Sequence, residues 1–396
     1  MAEITKMPRR KEQSDVDKVE RRIRSHKVRK VTWPIVIIVI ALLVWIMIEV
    51  NNATRVYTDY SVEKEVGWSA AADAEYMDYD GKLLTYSKDG ASCYNAAGKS
   101  LWNITYQMQE PVVRENGEYV AIADYNGNVI YVMNLDGKQG EISTSMPVKN
   151  FCVSKNGIVA ALVDNGNNMS ISVFDTKGRE LVYFKVSMQE SGYPYAMALS
   201  DNAKLIGISY LYLDGDGYKS RMSFYNFDDV GGNYTDNWVG TFEYEDEIVS
   251  SVHFVNNSTC FAVSDKKLTI YKGKNVPECT DEIALSEEVQ SVHYNEEMVG
   301  VVVPCEKEGA DYTIMLYDYS GKEKGKVSFT GDYKDIILAN DRVTVYGGSI
   351  CAMYNLDGER KFRSDFIHSV LLLLPTEEYT EYVVVLKNKI QTIELR

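Results

Sequence analysis

Histidine and proline are scarce in this 396-residue chain, with 4 and 8 copies. The six cysteines, Cys93, Cys152, Cys260, Cys279, Cys305 and Cys351, all stand alone, so the adjacent pair used by many quinoprotein dehydrogenases is missing. No Gly-x-Ser-x-Gly, His-Glu-x-x-His, phosphate-binding loop or dinucleotide fingerprint occurs, which removes the common catalytic signatures. Basic charge is in deficit: 42 Lys and Arg against 57 Asp and Glu leave a formal −15 and a pI near 4.9. A nucleic-acid-binding role is excluded by that balance, because phosphate contact needs surplus cations on the binding face. Beyond residue 50 there is no convincing amphipathic helix, which excludes the helical solenoids. What is present is a 45% hydrophobic, 25% charged composition with 27 glycines, that of a chain able to bury a large core.

The charge is unevenly spread. Residues 1–33 hold eleven Lys or Arg against five acids, a net of +6, so the remainder carries −21. Between the two blocks, Trp33 to Ile48 is a run of sixteen residues without a charge. About twenty residues at about 1.5 Å each span a hydrocarbon core of about 30 Å. Pro34 falls in the first turn, where a helix tolerates it, and Trp33 and Trp45 lie toward the two interfaces. Ile48-Glu-Val-Asn-Asn-Ala-Thr54 offers no small-x-small cleavage site, which favours an uncleaved signal anchor over a removed signal peptide. The sequence thus predicts a cytoplasmic basic tail over 1–32, a transmembrane helix over 33–50 contacting the lipid bilayer, and an extracytoplasmic domain over 51–396. Ser14-Asp-Val-Asp17 and the apolar Val16, Val19 and Ile23 suggest a short amphipathic helix in the tail; its basic face suits anionic lipid or simply sets orientation.

The long acidic part is repetitive. Cys93-Tyr-Asn-Ala-Ala-Gly-Lys99, Val132-Met-Asn-Leu-Asp-Gly-Lys138, Val173-Phe-Asp-Thr-Lys-Gly-Arg179, Leu316-Tyr-Asp-Tyr-Ser-Gly-Lys322 and Met353-Tyr-Asn-Leu-Asp-Gly-Glu359 share one pattern, with looser copies at Phe224–Asp229 and Ile270–Lys274. Their second residues stand at 94, 133, 174, 225, 271, 317 and 354. A period of about 40–45 residues with several short strands is that of a four-stranded propeller blade. The seventh copy reads as strands at Asp335–Ala339, Arg342–Tyr346, Ser349–Asn355 and Arg360–Asp365. Residues 368–396 supply three strands of a last blade, and Arg55–Glu63 offers the fourth, closing the ring. The expected fold is all-β: an eight-bladed propeller of four-stranded antiparallel blades, or seven blades with an insertion around Ser209–Asp236.

Leu83-Leu-Thr-Tyr-Ser-Lys-Asp-Gly-Ala-Ser-Cys-Tyr94, Gly98-Lys-Ser-Leu-Trp-Asn-Ile-Thr-Tyr106 and Ile122-Ala-Asp-Tyr-Asn-Gly127 resemble an uncharacterised family of Gram-positive bacterial single-pass membrane proteins. That resemblance implies a WD40-like or quinoprotein-like propeller behind one N-terminal helix, and no catalytic residues.

Candidate sites are few. Asp214-Gly-Asp-Gly217 begins like a calcium loop, but Tyr218 occupies the third ligand position, so Asp214 and Asp216 read better as a turn. His253 and His293 hold like positions in Ser251-Val-His-Phe254 and Ser291-Val-His-Tyr294; they would line a channel and take a metal, or pack between blades. Cys260 and Cys279 are the one pair close enough along a blade to test for a disulfide. Most of the 29 tyrosines read as strand packing, while sets such as Tyr210, Tyr212 and Tyr218, or Tyr225, Tyr234 and Tyr244, can instead form an aromatic, acidic face for protein or glycan contact. The expectation is a non-catalytic, cofactor-free interaction or scaffold module tethered at the cell surface with a protein partner outside. The alternative is a small-ligand or glycan binder, or a quinoprotein-like enzyme using the central channel.

Overall fold

A computed structural model describes residues 33–47, 55–69, 73–166, 168–215, 217–305, 308–339, 341–366, 368–376 and 378–396. It divides into two compact units, 1–55 and 56–396. In the first, residues 33–47 form a helix whose side chains are all exposed. At about 1.5 Å per residue it is about 22 Å long. No helix among the described residues is long and apolar enough to cross a membrane. The expected 33–50 span is thus observed only as this shorter helix, carrying Trp33, Pro34 and Trp45. Ile48 and the tail over 1–32 lie outside the described residues.

The second unit is an eight-bladed β-propeller. Each blade is a four-stranded antiparallel sheet; blades 1 to 7 cover residues 75–105, 111–143, 148–186, 193–245, 249–284, 291–329 and 335–365. Blade 8 combines Val370–Pro375, Glu381–Leu386 and Lys389–Leu395 with Tyr60–Gly67. The first strands of successive blades lie beside one another around the central channel. The seven-blade alternative is therefore set aside: the long interval near residue 215 is a lengthened hairpin, Leu205–Asp214 with Gly217–Asn226, inside an ordinary fourth blade.

The recurring motif closes the third strand of each of the first seven blades. Its Asn or Asp side chain folds back on the turn: Asn95 Oδ1 accepts from the N–H groups of Ala97 and Lys99, Asp175 Oδ1 from those of Lys177 and Arg179, and Asp318 Oδ1 from those of Ser320 and Lys322. The side-chain carboxyl or amide thereby satisfies donors that leave the sheet ladder. Gly178 takes φ +80°, the left-handed region. A second reason for small residues is contact between blades. A Cβ on Gly178 would stand 2.7 Å from Glu141 O of blade 2, and one on Gly140 of that blade 1.7 Å from Thr176 O. Gly325 and Leu356 O repeat this approach between blades 6 and 7. The motif is thus a lock in which each turn seats against the outermost strand of the preceding blade.

Hydrophobic burial follows the same logic. Each of eight clusters of buried side chains draws on two neighbouring blades, as Ile130, Phe151, Ala161 and Phe174 do between blades 2 and 3. Leu83 of blade 1 joins Leu372, Leu374, Val383 and Val385 of blade 8, completing the ring. Apolar residues on both faces of a strand, as in Val159–Asp164, are what a sheet covered on both sides requires.

The closing strand begins later than expected, at Tyr60 rather than residue 55. The reason lies in what precedes it. Buried Tyr57 donates its N–H to Lys361 O, and its ring lies under the Arg342 guanidinium at 5.4 Å. Thr58 and Asp59 both donate to Arg396 O, so the ladder starts only at Tyr60 opposite Leu395. At the strand's other end Glu65 accepts from Lys389 and Gln391.

Candidate functional site

Two recesses in the propeller gather functional side chains. The first is the mouth of the central channel at the turns joining first to second strands, a cavity of about 610 Å³. Blade 2 brings Arg114 and Glu115, blade 3 Cys152 and Lys155, blade 5 His253, and blade 6 Tyr294 and Glu296. Lys155 sits 3.3 Å from both Asp201 of blade 4 and Glu296, an ion pair thrown across the channel. Glu115 is wetted by the channel yet enclosed by protein, and that desolvation, with Asp78 and Asp80 nearby, raises its carboxyl to about 7. Across the channel the Tyr294 hydroxyl is pushed up to about 12 by burial and by Glu115. His253 stacks on Phe261 at 5.1 Å and lies 4.5 Å from the Tyr294 ring; burial, then Arg114, lowers it to about 4, so it is neutral at physiological pH. Burial lifts the Cys152 thiol to about 12, the opposite of an activated nucleophile.

The second recess is a cleft of about 1070 Å³ on the flank, between the outer strand Glu180–Val186 of blade 3 and the strands Gly217–Asn226 and Trp238–Glu245 of blade 4. Phe184 and Tyr225 stack at 5.1 Å in its floor, while Tyr183 (50% exposed), Met188 (61%) and Trp238 (46%) stand out around it. Asp164, Glu190 and Asp236 outnumber Lys185 on its rim and leave it net acidic. Arg221 is neutralised by Glu243 at 2.6 Å, and Glu243 also accepts from the Tyr212 hydroxyl.

The sequence candidates scatter. Asp214 is at the hairpin tip of blade 4, bonded to Lys219 at 2.8 Å, and Asp216 lies outside the described residues. His253 faces the channel, whereas His293 is held between blades, 2.9 Å from Ser291 Oγ and 3.3 Å from Asp335 Oδ1. The two do not form one site, and no group of three His, Cys, Asp or Glu among the described residues can hold a metal ion. Cys260 and Cys279 are free thiols. Both register against Tyr271 from opposite sides, so a whole strand separates them, about 9.5 Å. A disulfide needs Cα atoms within about 7 Å, and this pairing is corrected accordingly. Of the two tyrosine sets expected to offer a contact face, Tyr210 of the first and Tyr244 of the second are buried and hydrogen-bonded to Tyr225 and Tyr271, while Tyr218 and Tyr234 are exposed. Sequence reasoning missed Glu115, Lys155, Tyr183, Met188 and Trp238. The acidic and basic residues of the mouth come from blades about forty residues apart and share no local pattern.

The fold is that of an eight-bladed β-propeller with one recess at the channel mouth and one on its flank. The chain belongs to a family of unknown function (DUF5711), whose model matches residues 53–395. Among curated proteins none matches. Solved structures share the fold: BamB from Moraxella catarrhalis (TM-score 0.53, 11% identity, 85% of this chain and 100% of that one), Sqt1 from Chaetomium thermophilum bound to the N-terminus of ribosomal protein L10 (0.54, 11%, 85% and 100%), and apo AztD from Citrobacter koseri (0.51, 9%, 78% and 94%).

Proposed function

We propose that the protein is a membrane-tethered scaffold whose propeller holds a protein partner outside the cytoplasm, without catalysing a reaction on it. The observation that carries this reading is the flank cleft. Exposed Tyr183, Met188 and Trp238 around a stacked Phe184–Tyr225 floor have the composition of a protein-binding hot spot: large apolar anchors with a polar rim. The acidic rim and the −21 carried beyond residue 33 favour a partner segment that combines apolar anchors with positive charge. Sqt1 offers a precedent on the same fold, since its propeller takes the N-terminus of another protein. The tether reading is supported by the uncharged run from Trp33 to Ile48 and by the eleven Lys and Arg before Pro34, an arrangement that favours a tail kept inside under the positive-inside rule. The tail's cations also suit anionic headgroups.

A photo-crosslinking amino acid at 183 or 238 of the full-length protein tests the scaffold in native membranes. The expected result is one discrete adduct at both positions, absent when the probe sits at exposed Leu101 on the outer strand of blade 1. The adduct should weaken at 238 when Tyr183→Ala is added. Equal adducts at 101, or none at 183 and 238, would overturn the reading.

A further inference from the structure

The channel mouth is separate from the flank cleft, and its chemistry points elsewhere. Glu115 stands on the first strand of blade 2 and lines the same mouth as Tyr294 of blade 6, four blades away in a ring of eight, and its charge acts on the Tyr294 hydroxyl. Behind it are Asp78 and Asp80 of blade 1; Glu118 lines the same mouth. No cation among the described residues lies within ion-pair distance of Glu115, because Lys155 is held by Asp201 and Glu296. An ammonium thus already occupies one part of this mouth, bridging carboxylates from two blades. The Glu115 carboxylate has none, and the other cation lining the mouth, Arg114, donates to Val113 O and lies over the Phe151 ring.

We propose that the channel mouth binds a small organic cation, an ammonium or guanidinium seated between the Glu115 carboxylate and the face of Tyr294. A carboxylate facing an aromatic ring is the arrangement that holds such groups, by a charge-assisted hydrogen bond on one side and the ring quadrupole on the other. The ring of Tyr294, 44% exposed, is open to the channel and is backed by His253 and Phe261. A metal ion fits less well, since no three ligating side chains converge there among the described residues. A simple anion would meet Asp80, Glu115, Glu118 and Glu296 with only Arg114 unengaged by an acid. The cavity of about 610 Å³ admits a molecule of amino-acid or diamine size. The site stands without the scaffold reading and does not depend on the flank cleft.

Ionisation should govern the binding. The charged and titratable groups around Glu115 are Asp78, Tyr79 and Asp80 of blade 1, Arg114 and Glu118 of blade 2, Lys155 of blade 3, His253 of blade 5, and Tyr294 and Glu296 of blade 6. Glu115 is raised to about 7 by burial, then by Asp78 and Asp80, so its own charge changes between pH 6 and pH 8. It is an anion above that value and neutral below, so a cation is held at pH 8 and released as pH falls.

Calorimetric titration of the full-length protein in detergent tests this with agmatine, 1,5-diaminopentane, an N-acetylated and C-amidated Gly-Lys-Gly peptide, and glutarate as the anionic control. Saturable binding of at least one cationic probe is expected, none of glutarate, with about tenfold weaker affinity at pH 6 than at pH 8. Glu115→Gln should weaken binding about tenfold at pH 8 and flatten the pH profile, and Tyr294→Ala should weaken it several-fold. Binding of the free amines but not the peptide assigns a small-molecule ligand; the reverse assigns a lysine presented by a protein. Glutarate binding in preference, no saturable cation binding, or wild-type affinity with an unchanged pH profile in Glu115→Gln would each overturn the proposal. The wild-type pH profile decides even if the variant does not fold.

Discussion

At the residue scale, the repeat signature encodes two demands at once, and only one of them is local. The Asn or Asp and the following Gly can be read in the sequence as a turn, because side-chain acceptance of backbone N–H groups and positive φ are properties of a few consecutive residues. The close approach of Gly140 to Thr176 O is invisible there, since its partner belongs to the next blade. This separates Gly140, inside the strand that follows the signature in blade 2, from Gly81 in a turn of blade 1. Gly140→Ala forces a Cβ onto a backbone carbonyl that cannot swing aside, and about 3 kcal/mol of stability should be lost, at the upper end for overpacking. Gly81→Ala, at φ +70° with open space around it, should cost only the left-handed backbone, about 1 kcal/mol. Urea unfolding of the two variants beside wild type checks the ordering; equal losses would contradict the lock between blades. The channel residues show the same limit on sequence reading. Glu115, Tyr294 and Lys155 meet only because the ring closes, whereas Cys260 and Cys279, near in sequence, are kept apart by the strand between them.

At the scale of elements, the strands were the most readable part of the chain. In blade 7 the expected Asp335–Ala339 and Arg360–Asp365 are observed as such, and the two middle strands differ by one residue at one end each. Short runs rich in Val, Ile, Thr and Tyr bounded by Gly or Asn–Asp turn residues mark these boundaries with short-range chemistry. The closing strand was less readable, shifted by five residues at its start, because Tyr57 and Asp59 are claimed by Lys361 and Arg396 from the opposite end of the chain. This long-range pairing makes a sharp contrast between truncations. A chain starting at Val56 keeps Tyr57 against Arg342 and the whole Tyr60–Gly67 strand, and it should melt as a monomer within about 0.5 kcal/mol of the intact propeller. A chain starting at Trp68 uncovers one edge of Lys389–Leu395, leaving the backbone groups on that side unpaired, and should associate or aggregate through that edge. Size-exclusion chromatography with static light scattering distinguishes them; a monomeric, equally stable shorter form would show that ring closure does not need this strand.

For the whole molecule, the separation of charge matters more than its total. A tail at +6 and the rest of the chain at −21 sit on either side of the uncharged run from Trp33 to Ile48, which is the arrangement that fixes orientation if this run spans a bilayer. Cys279 provides a native reporter of that orientation, being exposed on the outer strand of blade 5, while Cys93, Cys152, Cys260 and Cys351 are buried. A membrane-impermeant maleimide added to intact cells should label the wild-type protein, and Cys279→Ser should lose most of the label. Replacing the Lys and Arg of residues 18–30 with Gln removes seven of the eleven tail cations while leaving the apolar run untouched. Labelling from outside should then fall, with the lost fraction recovered only after the cells are opened, because the flanking cations that hold the tail inside are gone. If Cys279 is labelled only in opened cells for the wild-type protein, the propeller faces the cytoplasm, and the proposed partner must be sought there.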